Sequence, residues 1–371
     1  MIKLSNRLEN IECDRFIRET FIKLSHAKHI FILGAGARGK YLARFLLNRG
    51  IDFDAFLVTE RFYSEGHMIK ICGQNKKLKC YEHEMEKNKD DITIILGISH
   101  NLIDMNIFNN RNIKDVIPLN LGIMDDYLIS KDFYMEYADK FDKTYELLAD
   151  NYSRDCMYAN FLGRLTGKDI SFKPSAWSGT RYIFDEFMIW KKTECYVDCG
   201  AYVGDSVEEF LTKMPLQTVK EFSVYAWEPD NENFEVLQKK YENNQRVKTL
   251  CLGAYSHKTQ LHFSDNDGEL SAISVVGSTM IEADSIDNIL GDEKATFIKM
   301  DIEGSELEAL KGAKGQIISH TPRLAICVYH KKEDLYSVPE LIMSYNANYS
   351  FYLRPHLALP TELVLFAIPE K

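Results

Sequence analysis

Three stretches of this chain place reactive side chains where strands appear to end. In ECYVDCGAYVGD, Cys195, Tyr196 and Val197 read as a short buried strand with Asp198 at its carboxyl end. Gly200 and Gly204 follow in a tight turn around Ala201 and Tyr202, and a helix begins near Asp205. A glycine turn between strand and helix lets a ligand approach backbone N–H groups at the helix N-terminus. Glu228, 24 residues beyond Gly204, ends the next strand in SVYAWEPD. A carboxylate there can accept hydrogen bonds from both ribose hydroxyls of a nucleoside. ATFIKMDIEG is a third strand, ending in Asp301 and Glu303 with Lys299 inside it. RLAICVYH, a later strand, ends in His330. Functional groups gathered at strand carboxyl ends suit the crevice of an open α/β sheet.

A second glycine cluster lies near the start. Ile30 to Leu33 reads as a buried strand, Gly34, Gly36 and Gly39 complete a GxGxxG, and KYLARFLLNRG is a helix closed by Gly50. DAFLVTE is the next strand and ends at Glu60, 21 positions after the last glycine. This βαβ pattern points to a dinucleotide or nucleotide-sugar site. The alternative is an unliganded Rossmann-like unit whose glycines serve close packing. ITIILGIS and DVIPLN add later strands, so four or five strands are expected, with His100 near the same crevice.

The elements that position these groups divide the chain into three. Residues 1–125 read as a smaller N-terminal Rossmann-like domain, opening with an amphipathic helix over 8–24. Residues 126–170 carry aromatic and leucine residues every three or four positions and read as a helical bridge. Residues 171–371 alternate strands and helices, which argues for a largely parallel sheet. YSFYLRPH and ELVLFAIP close it as a terminal antiparallel hairpin. VKTLCLGAY is read as one strand, QLHFSDNDGELSAISVV as a hairpin-like insert and ADSIDNIL as a short helix. The aromatic stretch containing Trp177, Arg181 and Tyr182 either covers the ligand or packs on the sheet edge.

Composition narrows the partners. A net charge of −10 with no Lys/Arg run argues against nucleic acid or an anionic membrane surface. No run approaches the roughly 18 apolar residues of a membrane span, and the charged N-terminus is not a signal peptide. The eight cysteines include no CxxC and several sit in apolar runs, as small core residues of a cytoplasmic protein would. Self-association into a homo-oligomer is left open.

VDCGAYVGD, AWEPDNENFEVL and FIKMDIEGSELEALKGA, in this order, resemble the three signatures of the FkbM-type methyltransferases. The resemblance covers about residues 177–371 and implies a class I fold, S-adenosylmethionine as cofactor, and O-methylation, often of sugar hydroxyls. It assigns the backbone of Gly200, Ala201, Tyr202 and Gly204 to the cofactor, Glu228 to its ribose, and Asp198 to its amine or sulfonium side. Asp205 is either a further contact or a helix cap.

Methyl transfer to a hydroxyl is helped by a general base. Asp301 is the best-placed candidate, then Glu303, with His330, His356 and Lys299 as further participants. Two carboxylates and a histidine could instead hold a divalent ion, although no spacing such as HxxxH demands one. Two other readings stand beside this one. One is an NAD(P)-linked oxidoreductase using the first GxGxxG. The other is a non-catalytic cofactor-binding module of a glycan-assembly complex.

Overall fold

A computed structural model describes residues 3–13, 15–87, 90–98, 103–110, 112–119, 128–168, 181–264, 272–273, 279–356 and 359–370. His100 and Trp177 lie outside the described residues. No helix among those described is long and apolar enough to cross a membrane.

The first helical stretch is two helices, α1 (Leu4–Leu8) and α2 (Arg15–His26), rather than one over 8–24. They go different ways. α2 joins the first sheet, where Lys23 pairs with Asp115 at 2.6 Å. That sheet holds β1 (His29–Leu33), β2 (Ala55–Val58), β3 (Met68–Ile71), β4 (Gln74–Cys80), β5 (Ile92–Leu96) and β6 (Ile113–Ile117). Its order is β3-β4-β2-β1-β5-β6, with β3 the antiparallel member. The expected four or five strands become six because β3 and β4 form a hairpin. Its turn is Cys72-Gly73, both residues at positive φ, the two-residue geometry that matches strand twist. Cysteine is an unusual residue for that position, so the turn is hard to read. α3 (Ala37–Leu47) follows the glycine loop, and α4 (Tyr81–Met85) follows β4.

α5 (Lys131–Glu136), α6 (Ala138–Leu147) and α7 (Asn151–Thr166) occupy the expected bridge. They pack mainly on the C-terminal sheet, while Gly167 at the end of α7 meets Ile17 of α2. Tyr134, Phe141, Tyr145, Met157, Phe161 and Leu165 share one apolar cluster with the C-terminal sheet. Leu4 and Leu8 of α1 enter the same cluster. Ser5 bonds Asp142 through its amide and hydroxyl at 2.8 and 2.6 Å, and Arg7 reaches Asp155 at 2.9 Å. The expected N-terminal unit beginning at residue 1 therefore needs correction: α1 belongs to the C-terminal core.

The second sheet contains β7 (Thr193–Cys199), β8 (Glu221–Trp227) and β9 (Val247–Leu250), joined by α8 (Asp205–Lys213) and α9 (Asn231–Tyr241). The expected third strand breaks after Leu250. β10 (Gly253–Ala254) leaves to join β11 (Thr259–Ser264), β12 (Ala272–Ile273) and β13 (Thr279–Asp284) in a separate small sheet. The hairpin-like insert is thus part of a four-stranded sheet. α10 (Ile286–Leu290) starts after Ser285, whose hydroxyl accepts from the Asn288 amide, so Ala283 and Asp284 are strand rather than helix. β14 (Phe297–Met300), α11 (Glu306–Lys311), α12 (Lys314–His320), β15 (Arg323–Cys327), α13 (Asp334–Tyr345), β16 (Tyr349–His356) and β17 (Leu359–Pro369) complete the chain.

The main sheet runs β16-β17-β15-β14-β7-β8-β9. β17 slots between β15 and β16 and is antiparallel to both, giving the one reversed strand. Side chains alternate across the central strands as the pleat requires. Cys195, Val197, Ile298, Met300, Leu324 and Ile326 face the bridge helices. Tyr196, Phe297, Ala325 and Cys327 face α8 and the segment Tyr182–Met188.

Replacing Leu4 by Ala is expected to cost about 2–5 kcal/mol, the range for a buried leucine. Urea unfolding measures this; an unchanged midpoint would mean that α1 is not docked.

Candidate active site

The glycine turn is built by packing rather than by ligand approach. Gly200 (φ +76°) needs its missing Cβ because a side chain there would collide with the Asp301 carbonyl. Gly204 (φ +82°) lies against Tyr241 and Leu237. The amides expected to serve a ligand are already used. Gly200 and Ala201 donate to the Trp227 carbonyl at 3.0 and 2.9 Å, and Gly204 donates to Ala201. Tyr202 donates to Glu228 at 2.9 Å. The turn therefore fastens β7 to β8 and fixes the rim of the site.

Asp198 and Lys299 need the second correction. The parallel register of β14 on β7 sets Lys299 directly beside Asp198. Both side chains are buried and pair at 3.0 Å. Lys299 also donates to the Gly200 carbonyl at 2.5 Å, and Ser206 donates to Asp198 at 2.5 Å. Asp198 is thus engaged inside the protein instead of facing a cofactor amine. Lys299 clamps the turn and does not reach toward an acceptor. Burial alone would lower the Lys299 pKa, but Asp198 and Asp301 hold it raised. Asp205 pairs with Arg181 and accepts from the Ser206 amide, and its carboxylate lies in the first turn of α8, where it complements the helix dipole.

Glu228 stands just beyond β8, buried, accepting from the amides of Tyr202 and Asp230 at 2.9 Å each. Burial pushes its carboxyl up to about 7. Each oxygen takes one backbone donor, which leaves acceptor capacity for hydroxyl groups.

Beyond β14 the chain brings Asp301, Glu303 and His330 together. Asp301 accepts from Tyr182 Oη at 2.6 Å and from Tyr329 Oη at 3.2 Å. His330 Nε2 lies 3.4 Å from both Asp301 Oδ1 and Glu303 Oε2, and its Nδ1 lies 2.8 Å from Glu306. Burial alone would lower the imidazole, but Glu306 and Glu303 raise it to about 10. Burial raises Glu303 to about 8 against the pull of His330. Tyr202 and Glu303 both hold positive φ, +49° and +52°, without being glycine. Such strain concentrates at functional sites. His356 ends β16, and nothing of its side chain is described.

Tyr329 and Glu306 were not among the expected site residues. Tyr182 is buried in the apolar cluster against the main sheet, its ring 4.9 Å from Lys299 Nζ. Glu209 holds it there by accepting from the amides of Arg181, Tyr182 and Ile183. Glu306 had a readable signal: it lies on the buried stripe of α11 with Ala309 and Leu310, where an acid needs a partner.

At the first glycine cluster, Gly34 and Gly39 are packing glycines: a Cβ on Gly34 meets Ile98, and one on Gly39 would strike the Gly34 carbonyl. Gly36 alone faces open space. It lines a cavity of about 1000 Å³ with Lys40, Arg44, His67 and Lys70. Glu60 is exposed on a short 3-10 turn and is absent from that lining, so the expected ribose acid is misplaced.

Glu228, Glu303 and His330 all hold protons more tightly folded than unfolded. Unfolded Glu228 titrates near 4.5 and folded near 7. Ionising it therefore costs stability as pH rises through that window. Glu303 extends the loss to about pH 8. The His330 contribution is complete below 6.5 and lost toward pH 10. The ligand-free protein should melt at a lower temperature at pH 8 than at pH 5, with Glu228→Gln showing a shallower fall. Thermal unfolding across that range checks the sign; a rising midpoint contradicts it.

Residues 198–351 match the family model described as the methyltransferase FkbM domain. The fold is similar to a crystal structure of methyltransferase FkbM from Methylobacillus flagellatus, at 24% identity with a TM-score of 0.69. That similarity covers 98% of this chain and 97% of that one. A putative methyltransferase from Streptococcus mutans in complex with SAH is 16% identical, covering 48% of this chain and 89% of that one, with a TM-score of 0.31. An rRNA methylase from Streptococcus thermophilus is 12% identical over 49% of this chain and 89% of that one, with a TM-score of 0.32. No curated protein sequence matches the chain. Residues 198–351 thus match the FkbM methyltransferase domain, inside a fold similar to that of a solved methyltransferase.

Proposed function

We propose that the chain is an S-adenosylmethionine-dependent methyltransferase, that its methyl acceptor is a hydroxyl group of a sugar or glycan intermediate, and that Asp301 is the general base. The observation that carries this reading is the Asp301 carboxylate just past β14, held by two tyrosine hydroxyls next to Glu303 and His330. The residues fit the cosubstrate at Glu228, whose oxygens retain room for the two ribose hydroxyls. Bound S-adenosylmethionine supplies a methyl carbon made electrophilic by its sulfonium.

The chain's own groups do the rest. Tyr182 and Tyr329 orient Asp301. As the acceptor oxygen bonds the methyl carbon and the carbon–sulfur bond breaks, Asp301 takes the hydroxyl proton. Positioning the oxygen about 3 Å from the methyl group supplies much of the acceleration. Carboxylates and tyrosine hydroxyls are also the groups that pair with a polyol, which supports a sugar acceptor together with the family resemblance. Cys80, Cys156, Cys195, Cys199 and Cys327 are buried thiols, which supports a reducing, cytoplasmic setting.

The cationic cavity at Gly36 favours a second part of this reading, in which the N-terminal sheet holds the nucleotide end of an activated sugar. The oxidoreductase alternative is weakened by the misplaced Glu60.

Calorimetry with S-adenosylmethionine should give micromolar binding that Glu228→Ala abolishes. Asp301→Asn should keep that binding while turnover on the acceptor drops by about 10²–10⁴. Undiminished turnover would remove Asp301 as base. Titration with a nucleoside diphosphate should show binding that Gly36→Val blocks. NADH binding there instead would revive the oxidoreductase reading.

A further inference from the structure

We propose that Asp301 Oδ1, Glu303 Oε2 and His330 Nε2 form a site for one divalent cation of the Mn²⁺/Zn²⁺ class. The site stands on geometry; its role in catalysis rests on methyl transfer to a hydroxyl.

The argument begins with the imidazole. His330 Nδ1 lies 2.8 Å from the buried Glu306 carboxylate, so Nδ1 carries the proton it donates. Nε2 is then the second, independent feature: it is buried and has no hydrogen-bond partner among the described residues. It points at two carboxylate oxygens, 3.4 Å from each. A neutral ring would turn a lone pair toward the Asp301 carboxylate oxygen, which repels. A protonated Nε2 would divide one N–H between two acceptors, both beyond the normal range of about 2.7–3.2 Å. A metal ion satisfies all three atoms at once. In a tetrahedral site with bonds of about 2.1 Å, neighbouring ligand atoms lie about 3.4 Å apart.

The surroundings agree with this assignment. The three donor atoms fall within 4.8 Å of one another. Two carboxylates with one imidazole suit Mn²⁺, Fe²⁺ or Zn²⁺ better than Ca²⁺ or Mg²⁺. Metal-bound histidines typically donate their other nitrogen to a carboxylate, which is the place of Glu306. Glu306 also accepts from the Ile302 amide at 3.0 Å, so one acid orients both the histidine and the loop bearing Glu303. The left-handed backbone of Glu303 helps bring the second carboxylate to the histidine; glycine would relieve that strain but remove the ligand.

Three protein ligands leave a fourth position open. An acceptor hydroxyl bound there becomes more acidic and gives its proton to Asp301 at lower pH.

Chelator-treated full-length protein is titrated with MnCl₂, followed by the electron paramagnetic resonance signal of free Mn²⁺, and with ZnCl₂ by calorimetry. One ion per chain is expected, with affinity at least about tenfold weaker in Glu303→Gln and in Glu306→Gln. Thermal unfolding confirms that each variant is folded, and the half-buried Glu303 is the variant least exposed to that risk. No binding at millimolar metal, or equal affinity in Glu303→Gln, overturns the site. Glu228→Ala separates the two readings, because it should lose S-adenosylmethionine while keeping Mn²⁺. Wild type that binds S-adenosylmethionine but no metal defeats the cation site alone. Wild type that binds Mn²⁺ but no S-adenosylmethionine defeats the methyl-transfer role instead.

Discussion

The buried pair of Asp198 and Lys299 sets the geometry from which the site follows. It joins the two central strands near their carboxyl ends, where β7 runs into the glycine turn and β14 into Asp301. Lys299 reaches past its partner to the Gly200 carbonyl, so the strand pairing and the turn are fixed by one ammonium group. The ring of Tyr182 lies against the same ammonium and carries its hydroxyl to Asp301. Two charges taken from water are costly unless their remaining hydrogen-bonding capacity is met. Here Ser206 and the carbonyl of Gly200 meet part of it. Removing either partner would leave a buried charge uncompensated, at a cost of about 3–5 kcal/mol.

Around that clamp the site is strained at two places. Tyr202 and Glu303 occupy left-handed backbone just past adjacent strands, each a few residues before or beside a glycine of the same hand. A non-glycine residue so placed costs about 1–3 kcal/mol and persists only where its surroundings hold it. Tyr202 is held by its amide bond to Glu228, and the Glu303 loop by Glu306 through Ile302.

The fold was largely legible because its signals are local. Continuous apolar runs marked the buried parallel strands, and the turn glycines marked where helices begin. Strand ends therefore delivered Glu228, Asp301, Glu303 and His330 to one edge. What the sequence could not show is what each side chain meets. Asp198 and Lys299 both looked like candidates for ligand contact, and only the register of β14 on β7 reveals that they meet each other. The turn amides looked available, yet the Trp227 carbonyl that consumes two of them lies on another strand. Tyr182 sat in an aromatic stretch, and its amide is held by Glu209 on α8. The Cys72-Gly73 hairpin was missed because cysteine does not advertise a left-handed turn.

The docking of α1 has a consequence for how the chain assembles. Ser5 and Asp142 meet across 137 residues, with the first sheet strung between them. During synthesis the earliest residues must wait for the bridge helices before they can bury Leu4 and Leu8. Closing so long a loop in an unstructured chain is entropically unfavourable, though the penalty grows only slowly with length. A first sheet that folds early shortens the effective loop, because it gathers its own span before α1 finds its groove. The N-terminal sheet thus sits as an insertion within the C-terminal body.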